Sequence, residues 1–501
     1  WFKRYCGRFE LKPFDAEHRK DVSADELKDG CDRALRDLCE AGLIWRYGPD
    51  GVTEEIRARL ERELKVLADK LISAYFLIVW DFVNWARQRG IPSNARGSGV
   101  GTMVGYVLGL SNACPVHYGL LFERFTDPDR AEYPDIDIDI CQDGRGKVIE
   151  YVREKYGHVA QIITFGRLKA KAAIKDVARV MGLSPSEGQH LSNLVPAELH
   201  ITIDDALQKD AEFRGAVDAD PRAQRVIAAA RALEDHARHA GVHAAGVIVA
   251  TRPLDSIVPL CKASGSDDAV TQWDGPTCEQ IGLLKMDFLG LRTLSTIERA
   301  RQLILESMPE EAIWKAVGRE MPAPGSAASR STSHPLDMER IPLDDQKVLA
   351  LFRRGDTSGI FQFESGGMRK LLTEMQPDRL EDLIAANALY RPGPMDLIPD
   401  YNDRKHGRQA VPSVHEIVDR YTAETYGIMV YQEQVMQVLH GLGGIPLRQA
   451  YTVIKAISKK KMKVIDAARA DFIAGADRQG VKEKQATELF ELILKFAGYG
   501  S

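Results

Sequence analysis

The run Pro134-Asp-Ile-Asp-Ile-Asp-Ile140 constrains this chain more than any other, because it alternates three carboxylates with isoleucines. Successive side chains of a strand point to opposite faces, so Asp135, Asp137 and Asp139 share one face and the isoleucines the other. Three like charges side by side repel, and Asp is a poor strand former. Isoleucine at every second position predicts that the opposite face is buried, which disfavours a merely solvated edge strand. A concentrated positive charge must offset the acids, and a pair of Mg²⁺ ions, hard cations that take oxygen ligands, suits the site.

The rest of the chain has to build that strand into a core. Its 501 residues, 44% of them hydrophobic, suffice for two to four domains. The net charge of −5 gives no global sign of nucleic-acid binding, yet local clusters decide what a phosphate backbone feels. Seven cysteines are scattered with no CxxC pair, which excludes a zinc ribbon and predicts reduced thiols in a cytosolic protein. The start, Trp1-Phe-Lys-Arg-Tyr, has no apolar signal core, and no stretch of about 18 apolar residues occurs. A start at Trp and an end at Tyr499-Gly-Ser501 predict a piece of a longer polypeptide.

Apolar spacing predicts helices over 17–45 and 53–90, the second on Leu60, Leu64, Leu67, Leu71, Phe76, Val79 and Phe82. A Gly-rich turn at 96–101 leads to an apolar helix, and the acid strand, a helix near 146–156 and a strand at 159–165 follow. Residues 167–240 read as largely helical, 246–250 and 282–289 as strands, 307–343 as a flexible Pro/Ser/Ala-rich insertion, and the remainder as helices. The fold class is α+β.

Two further segments carry chemistry. In Asn94-Ala-Arg-Gly-Ser-Gly-Val-Gly101, Gly97 allows close backbone approach to an anion, Ser98 adds a donor and Arg96 a bidentate phosphate partner. The turn matches neither the Walker nor the dinucleotide fingerprint. In Gly282-Leu-Leu-Lys-Met-Asp-Phe-Leu-Gly290, Asp287 stands in an apolar run, where a lone carboxylate is costly unless paired or metal-bound. Lys285 shares its face, as a plain Lys–Asp pair or as a phosphate contact. Together the acids could hold two metals around a nucleophile and a triphosphate.

These segments stand in a familiar order. Arg96-Gly-Ser-Gly99, Phe122-Glu-Arg-Phe125, Pro134-Asp-Ile-Asp-Ile-Asp139, Ile163-Thr-Phe-Gly166, Lys285-Met-Asp-Phe-Leu-Gly290, Gly355-Asp-Thr-Ser-Gly-Ile-Phe-Gln-Phe-Glu-Ser365, Leu389-Tyr-Arg-Pro-Gly-Pro394 and Tyr426-Gly-Ile-Met-Val-Tyr-Gln-Glu-Gln434 run nearly end to end. The chain resembles the alpha subunits of bacterial DNA polymerase III, the family C replicative polymerases. The resemblance implies a palm of the nucleotidyltransferase (polymerase beta-like) type, an inserted helical thumb and mostly helical fingers. Their bounds would be 1–165 and 243–295 for the palm, 166–242 for the thumb and 296–501 for the fingers.

The resemblance also assigns roles. Asp135, Asp137 and Asp287 match the catalytic, metal-binding aspartates, with two Mg²⁺ ions expected, while Asp139 stands behind them. The family's Gly-Ser turn, here Gly97-Ser98, and Lys285 are the dNTP phosphate contacts it implies; beside them the residues themselves offer Arg96, Lys455 and Arg391, the last as a rigidly presented phosphate donor or as a residue that merely shapes a turn. Lys455 follows Ile454 where the family often has a second basic residue, and Ile140 stands where Phe is common. Arg167, Lys169, Lys171, Lys175 and Arg179, opposed in sequence only by Asp176, form a basic run suited to a DNA backbone or to a solvated helix face. Lys459, Lys460, Lys461 and Lys463 are equally open to either reading, and Gln432 and Glu433 could face the nascent base pair or cap a helix.

The implied activity is template-directed 5′→3′ DNA synthesis from dNTPs on a primer-template, in the bacterial cytoplasm at the nucleoid, with no membrane partner. In a full-length parent the implied partners are the sliding clamp, the clamp loader and a separate proofreading exonuclease subunit. Two rivals are a nucleotidyltransferase that needs no template and a nucleic-acid-binding remnant without turnover.

Overall fold

The computed structural model describes residues 23–125, 134, 136–198, 201–250, 252–263, 268–323, 333–391 and 393–497. Asp135, one of the three expected metal ligands, lies outside them, as does the side chain of Ser98. The chain divides into two compact units, one reaching to Gly144 and resuming at Gly290, the other formed by Arg145–Leu289. The α+β class holds: among the described residues helices predominate and seven strands form.

The first unit opens with helices Ala24–Tyr47, Glu54–Asp69 and Ser73–Gln88. Ser23 starts the first through a capping box, accepting from the Glu26 N–H at 3.2 Å while the Glu26 carboxylate accepts from the Ser23 N–H at 2.9 Å. The single helix expected over 53–90 is instead two. Leu71 adopts the left-handed conformation (φ 61°) and is 65% exposed, and the Ile72 N–H returns to the Leu67 carbonyl at 3.1 Å. That closure ends a helix and restarts the next in a new phase. The five-residue step from Leu71 to Phe76 is its trace in the sequence.

Arg87, near the end of the third helix, donates to the Ser93 carbonyl (2.8 Å), the Gly109 carbonyl (2.5 Å) and the Asn94 side chain (3.2 Å). It thereby fixes strand β1 (Ser93–Arg96), which pairs antiparallel with β2 (Asp137–Cys141) from Ser93↔Ile140 to Arg96↔Asp137. The alternation expected of the acid strand is present where it is described. Ile136, Ile138 and Ile140 are buried, whereas Asp137 and Asp139 are partly exposed.

Gly97 follows β1 at φ 102°, a conformation that side chains rarely adopt. A Cβ on Gly99 would meet Ile136 at 2.4 Å, so the turn can lie on the acid strand only because that residue is glycine. Beyond it, buried Glu63 is held by Arg59 at 3.0 Å and accepts from the Val104 N–H at 3.1 Å, anchoring helix Met103–Val107.

In the second unit β3 (His158–Arg167) and β4 (Ala237–Ala250) form a long antiparallel ribbon, with register shifts between Gln161 and Ile163 and between Gly166 and Arg167. Short strands β5 (Leu260–Lys262) and β6 (Ala269–Thr271) extend one side, β6 parallel to β3, and β7 (Leu284–Leu291) pairs antiparallel with β4 on the other. Five helices between Ala170 and Leu233 stand between β3 and β4 in sequence and enclose their own core around Ile174, Phe213 and Val226. β4 begins nine residues before the strand expected at 246–250, because 237–240 lie exposed on the ribbon and carry no apolar alternation.

From Arg292 onward the first unit is helical, with cores centred on Leu372 and Tyr401 and on Met436 and Phe490. The insertion expected at 307–343 is structured in part. Helix Glu310–Ala316 buries Ile313 and Trp314, whose indole N–H donates to Glu310 at 3.0 Å; residues 324–332 lie outside the described residues. The six described cysteines are free, and no helix among the described residues is long and apolar enough to cross a membrane.

One ion pair is sealed inside this helical part. Asp382 is fully buried, and the Lys405 ammonium, itself 5% exposed, lies 2.8 Å from it and 3.1 Å from Asp378. Removing Lys405 leaves the buried Asp382 charge facing only the partly exposed Arg379, 3.5 Å away, and so largely strands it. Lys405→Met is therefore expected to cost about 3 kcal/mol in urea unfolding, and Asp382→Asn added to it to recover most of the loss.

Candidate active site

Two charged groupings form, one in each unit. In the first, ladder pairing sets Arg96 directly across from Asp137. Its guanidinium lies 2.8 Å from the Asp137 carboxylate and 3.1 Å from that of Asp139, bridging the two acids that share a strand face. The side chain remains 56% exposed, with open solvent for it to move into. Burial lifts the Asp139 carboxyl above the usual carboxylate range, with Arg96 working the other way.

The second grouping lies on β7 and β4. Lys285 and Asp287 share a face of β7, and the ammonium sits 2.9 Å from Asp287 Oδ2. Asp287 Oδ1 is buried, and no donor among the described residues reaches it. His243 Nδ1 stands 3.9 Å from Oδ1 and accepts from the Gly246 N–H (2.5 Å) and the Ala245 N–H (3.2 Å). Those bonds occupy the Nδ1 lone pair, so the ring proton belongs on Nε2 and the ring donates nothing to Asp287 from this side. His243 is a neighbour of the site that spacing did not single out; its one signal was its place in the His243-Ala-Ala-Gly246 run.

A buried carboxylate oxygen without a donor is expensive, and a cation answers it. The donor set, carboxylate oxygens, suits a hard divalent ion. Among the described residues no group of three or more His, Cys, Asp or Glu is gathered for a metal.

The model of the bacterial DNA polymerase III alpha NTPase domain matches residues 33–290, just over half of the chain, and that of the alpha subunit finger domain matches 326–480. The chain belongs to the bacterial DNA polymerase III alpha family. Similar proteins include the DNA polymerase III subunit alpha of Campylobacter jejuni, 41% identical over 97% of this chain and 40% of the relative. Those of Bacillus subtilis (42% identical, 96% of this chain and 42% of the relative) and Thermus aquaticus (42%, 89% and 35%) are similarly close. The chain thus spans about two fifths of the length of the curated relatives it matches.

The basic run read from its charges as a DNA-backbone contact or a solvated helix face divides in two. Arg167 and Lys169 both engage Asp235, at 3.3 Å and 2.6 Å, an acid that the sequence places 66 residues beyond Lys169. Lys171, Lys175 and Arg179 are exposed along one face of helix Ala170–Val180; Asp176 lies 3.6 Å from Arg179 and is also held by Arg238 at 2.9 Å.

Among the expected finger contacts of this polymerase family, Arg391 is exposed. Lys455 lies partly buried with its ammonium 4.8 Å from the Tyr451 ring centre. Lys459, Lys460, Lys461 and Lys463 are exposed. The Tyr-Gln-Glu-Gln run resolves toward structure at two positions. Glu433 is buried in an ion pair with Arg124, and Gln434 accepts from the Val430 and Tyr431 N–H groups at 2.7 and 2.9 Å.

Proposed function

We propose that this chain is the nucleotidyl-transfer segment of a replicative DNA polymerase, extending a primer 3′-hydroxyl with dNTPs under the direction of a template. The observation that carries the reading is Asp287, with one carboxylate oxygen on Lys285 and the other buried without a donor. Family membership and the Arg96–Asp137–Asp139 cluster support it.

On this reading Asp135, Asp137 and Asp287 hold two magnesium ions in a palm completed by the Gly97-Ser98 turn. Bound there, magnesium lowers the pKa of the primer hydroxyl and neutralises charge gathering on the leaving pyrophosphate. Lys285 and Arg96 supply positive charge to the triphosphate, and Arg391 and Lys455 complete its contacts from the fingers. Gly97 lets the backbone approach the phosphates. The helices between β3 and β4 act as a thumb, where Lys171, Lys175 and Arg179 track the DNA backbone without reading bases. In the full-length polypeptide, working at the bacterial nucleoid, the clamp, clamp loader and proofreading subunit are the proposed partners.

Arg96 then has two roles. In this structure it pairs with Asp137 and Asp139; with those acids on magnesium, its guanidinium would be available to the triphosphate. Arg96→Ala is expected to raise the KM for dNTP and, without nucleotide, to tighten Mn²⁺ binding by about two- to fivefold, the equivalent of one partly exposed ion pair. Electron paramagnetic resonance of free Mn²⁺ reads the second effect, and weaker binding would contradict it.

The central test is single-nucleotide primer extension by the full-length polypeptide with Mg²⁺. Asp137→Ala and Asp287→Ala are each expected to lower the rate at least about a hundredfold, as loss of a group stabilising developing charge does. Omitting the template should abolish directed incorporation, and parental rates in either variant would refute the site. Replacing Lys171, Lys175 and Arg179 together by Gln should weaken primer-template binding and lower its salt slope by up to about three. An unchanged slope would return that stripe to a solvated helix face.

A further inference from the structure

The β4–β7 ladder stops at the candidate site. Its register runs Val249↔Leu284, Ile248↔Lys285, Val247↔Met286 and Gly246↔Asp287. Just past that last pair β4 bulges, residues 243–246 standing opposite Ile162 alone, and the Ala245 and Gly246 N–H groups are directed onto His243 Nδ1. The strands are tied again by a side chain from elsewhere. Arg145, the first residue of helix Arg145–Tyr156, donates from Nε to the Phe288 carbonyl at 2.8 Å and from Nη2 to the Ala244 carbonyl at 2.7 Å. These carbonyls belong to the residues that directly follow Asp287 and His243.

The arrangement is costly. Arg145 is partly buried, and burial pulls its guanidinium below the ordinary arginine range. A planar guanidinium presents its donors in a fixed fork, so two carbonyls on one fork are held at a set separation. An ammonium on a flexible stem imposes no such spacing.

We propose that Arg145 is a positioning residue for nucleotidyl transfer: by bridging the Phe288 and Ala244 carbonyls it holds the Asp287 carboxylate in place beside His243 where the ladder ends. The inference rests on the role given to Asp287 above. Groups that orient a metal-binding side chain commonly contribute 10- to 100-fold in affinity or rate, and small misplacements of reacting groups cost a similar factor.

The test uses the full-length polypeptide and three variants: Arg145→Ala, Arg145→Lys and Asp287→Ala. In single-turnover incorporation, Arg145→Ala is expected to lower the rate constant about 10- to 100-fold. Its Kd for primer-template and for dNTP should stay within about threefold, because the fork touches neither. Mn²⁺ binding, read by paramagnetic resonance without substrate, should weaken by about tenfold or more. Arg145→Lys, which keeps the charge but not the fork, should fall between Ala and the parent in both readouts.

A parental rate and Mn²⁺ affinity in Arg145→Ala would overturn the proposal. So would a loss confined to DNA affinity and matched by a lower Tm with Mn²⁺ binding intact, since that describes a scaffold residue. If Arg145→Ala does not fold, Arg145→Lys decides: parental values in both readouts refute positioning. Asp287→Ala separates the two readings. If it extends primers at the parental rate the assignment of Asp287 fails, whereas an inert Asp287→Ala beside a parental Arg145→Ala removes only the role of Arg145.

Discussion

Asp137 and Asp139 lie two residues apart on one strand face, and the first unit is organised around keeping them there. Their repulsion is offset in part by the Arg96 guanidinium, delivered by the neighbouring strand at the register Arg96↔Asp137. That register depends on Arg87, which ties β1 to the helix before it, and on the isoleucines that bury the other face of β2. A slip of one residue would turn the isoleucines to solvent and the acids inward, so hydrophobic burial and charge neutralisation enforce the same alignment.

The second unit meets a similar problem differently. Asp287 is more enclosed, and its counter-charge, Lys285, comes from the same strand two residues earlier. Only one carboxylate oxygen is satisfied. One oxygen of Asp287 is paired and the other is bare, whereas Asp137 and Asp139 share Arg96 between them.

Much of this was legible because strand chemistry is local. The Asp-Ile alternation announced its two faces, the glycines around Ser98 announced a turn, and a carboxylate in the apolar run 284–289 announced a buried acid that would need a counter-charge, met in part by Lys285. What escaped was set by contacts distant in sequence. Asp235 meets Arg167 and Lys169 only once the helices between β3 and β4 have closed on themselves, so the net positive charge of that run was overstated. His243 and Arg145 act through backbone N–H groups and carbonyls, which leave no pattern in residue types. Leu71 occupied a position that helical spacing reads as core, yet it is the residue that ends the helix. The Trp314 helix was hidden within Pro/Ser/Ala-rich composition.

The β3–β4 ribbon also has a mechanical side. The helices described between Ala170 and Leu233, with their own core, enter the sheet of their unit through these two strands; one register shift of the ribbon lies at Gly166–Arg167 and the other contains Gly246, the partner of Asp287. β4 carries the outer ribbon, His243 and the partner of Asp287 along its 14 residues, bulging at 243–246. A strand extends about 3.3 Å per residue, so the part of β4 beyond the bulge, from Val242 to Ala237, forms a lever roughly 17 Å long. A small change of twist at the shifts becomes a large sweep of Lys171, Lys175 and Arg179. Read in the other direction, a pull on those side chains arrives as tension on the strand against which Asp287 is held.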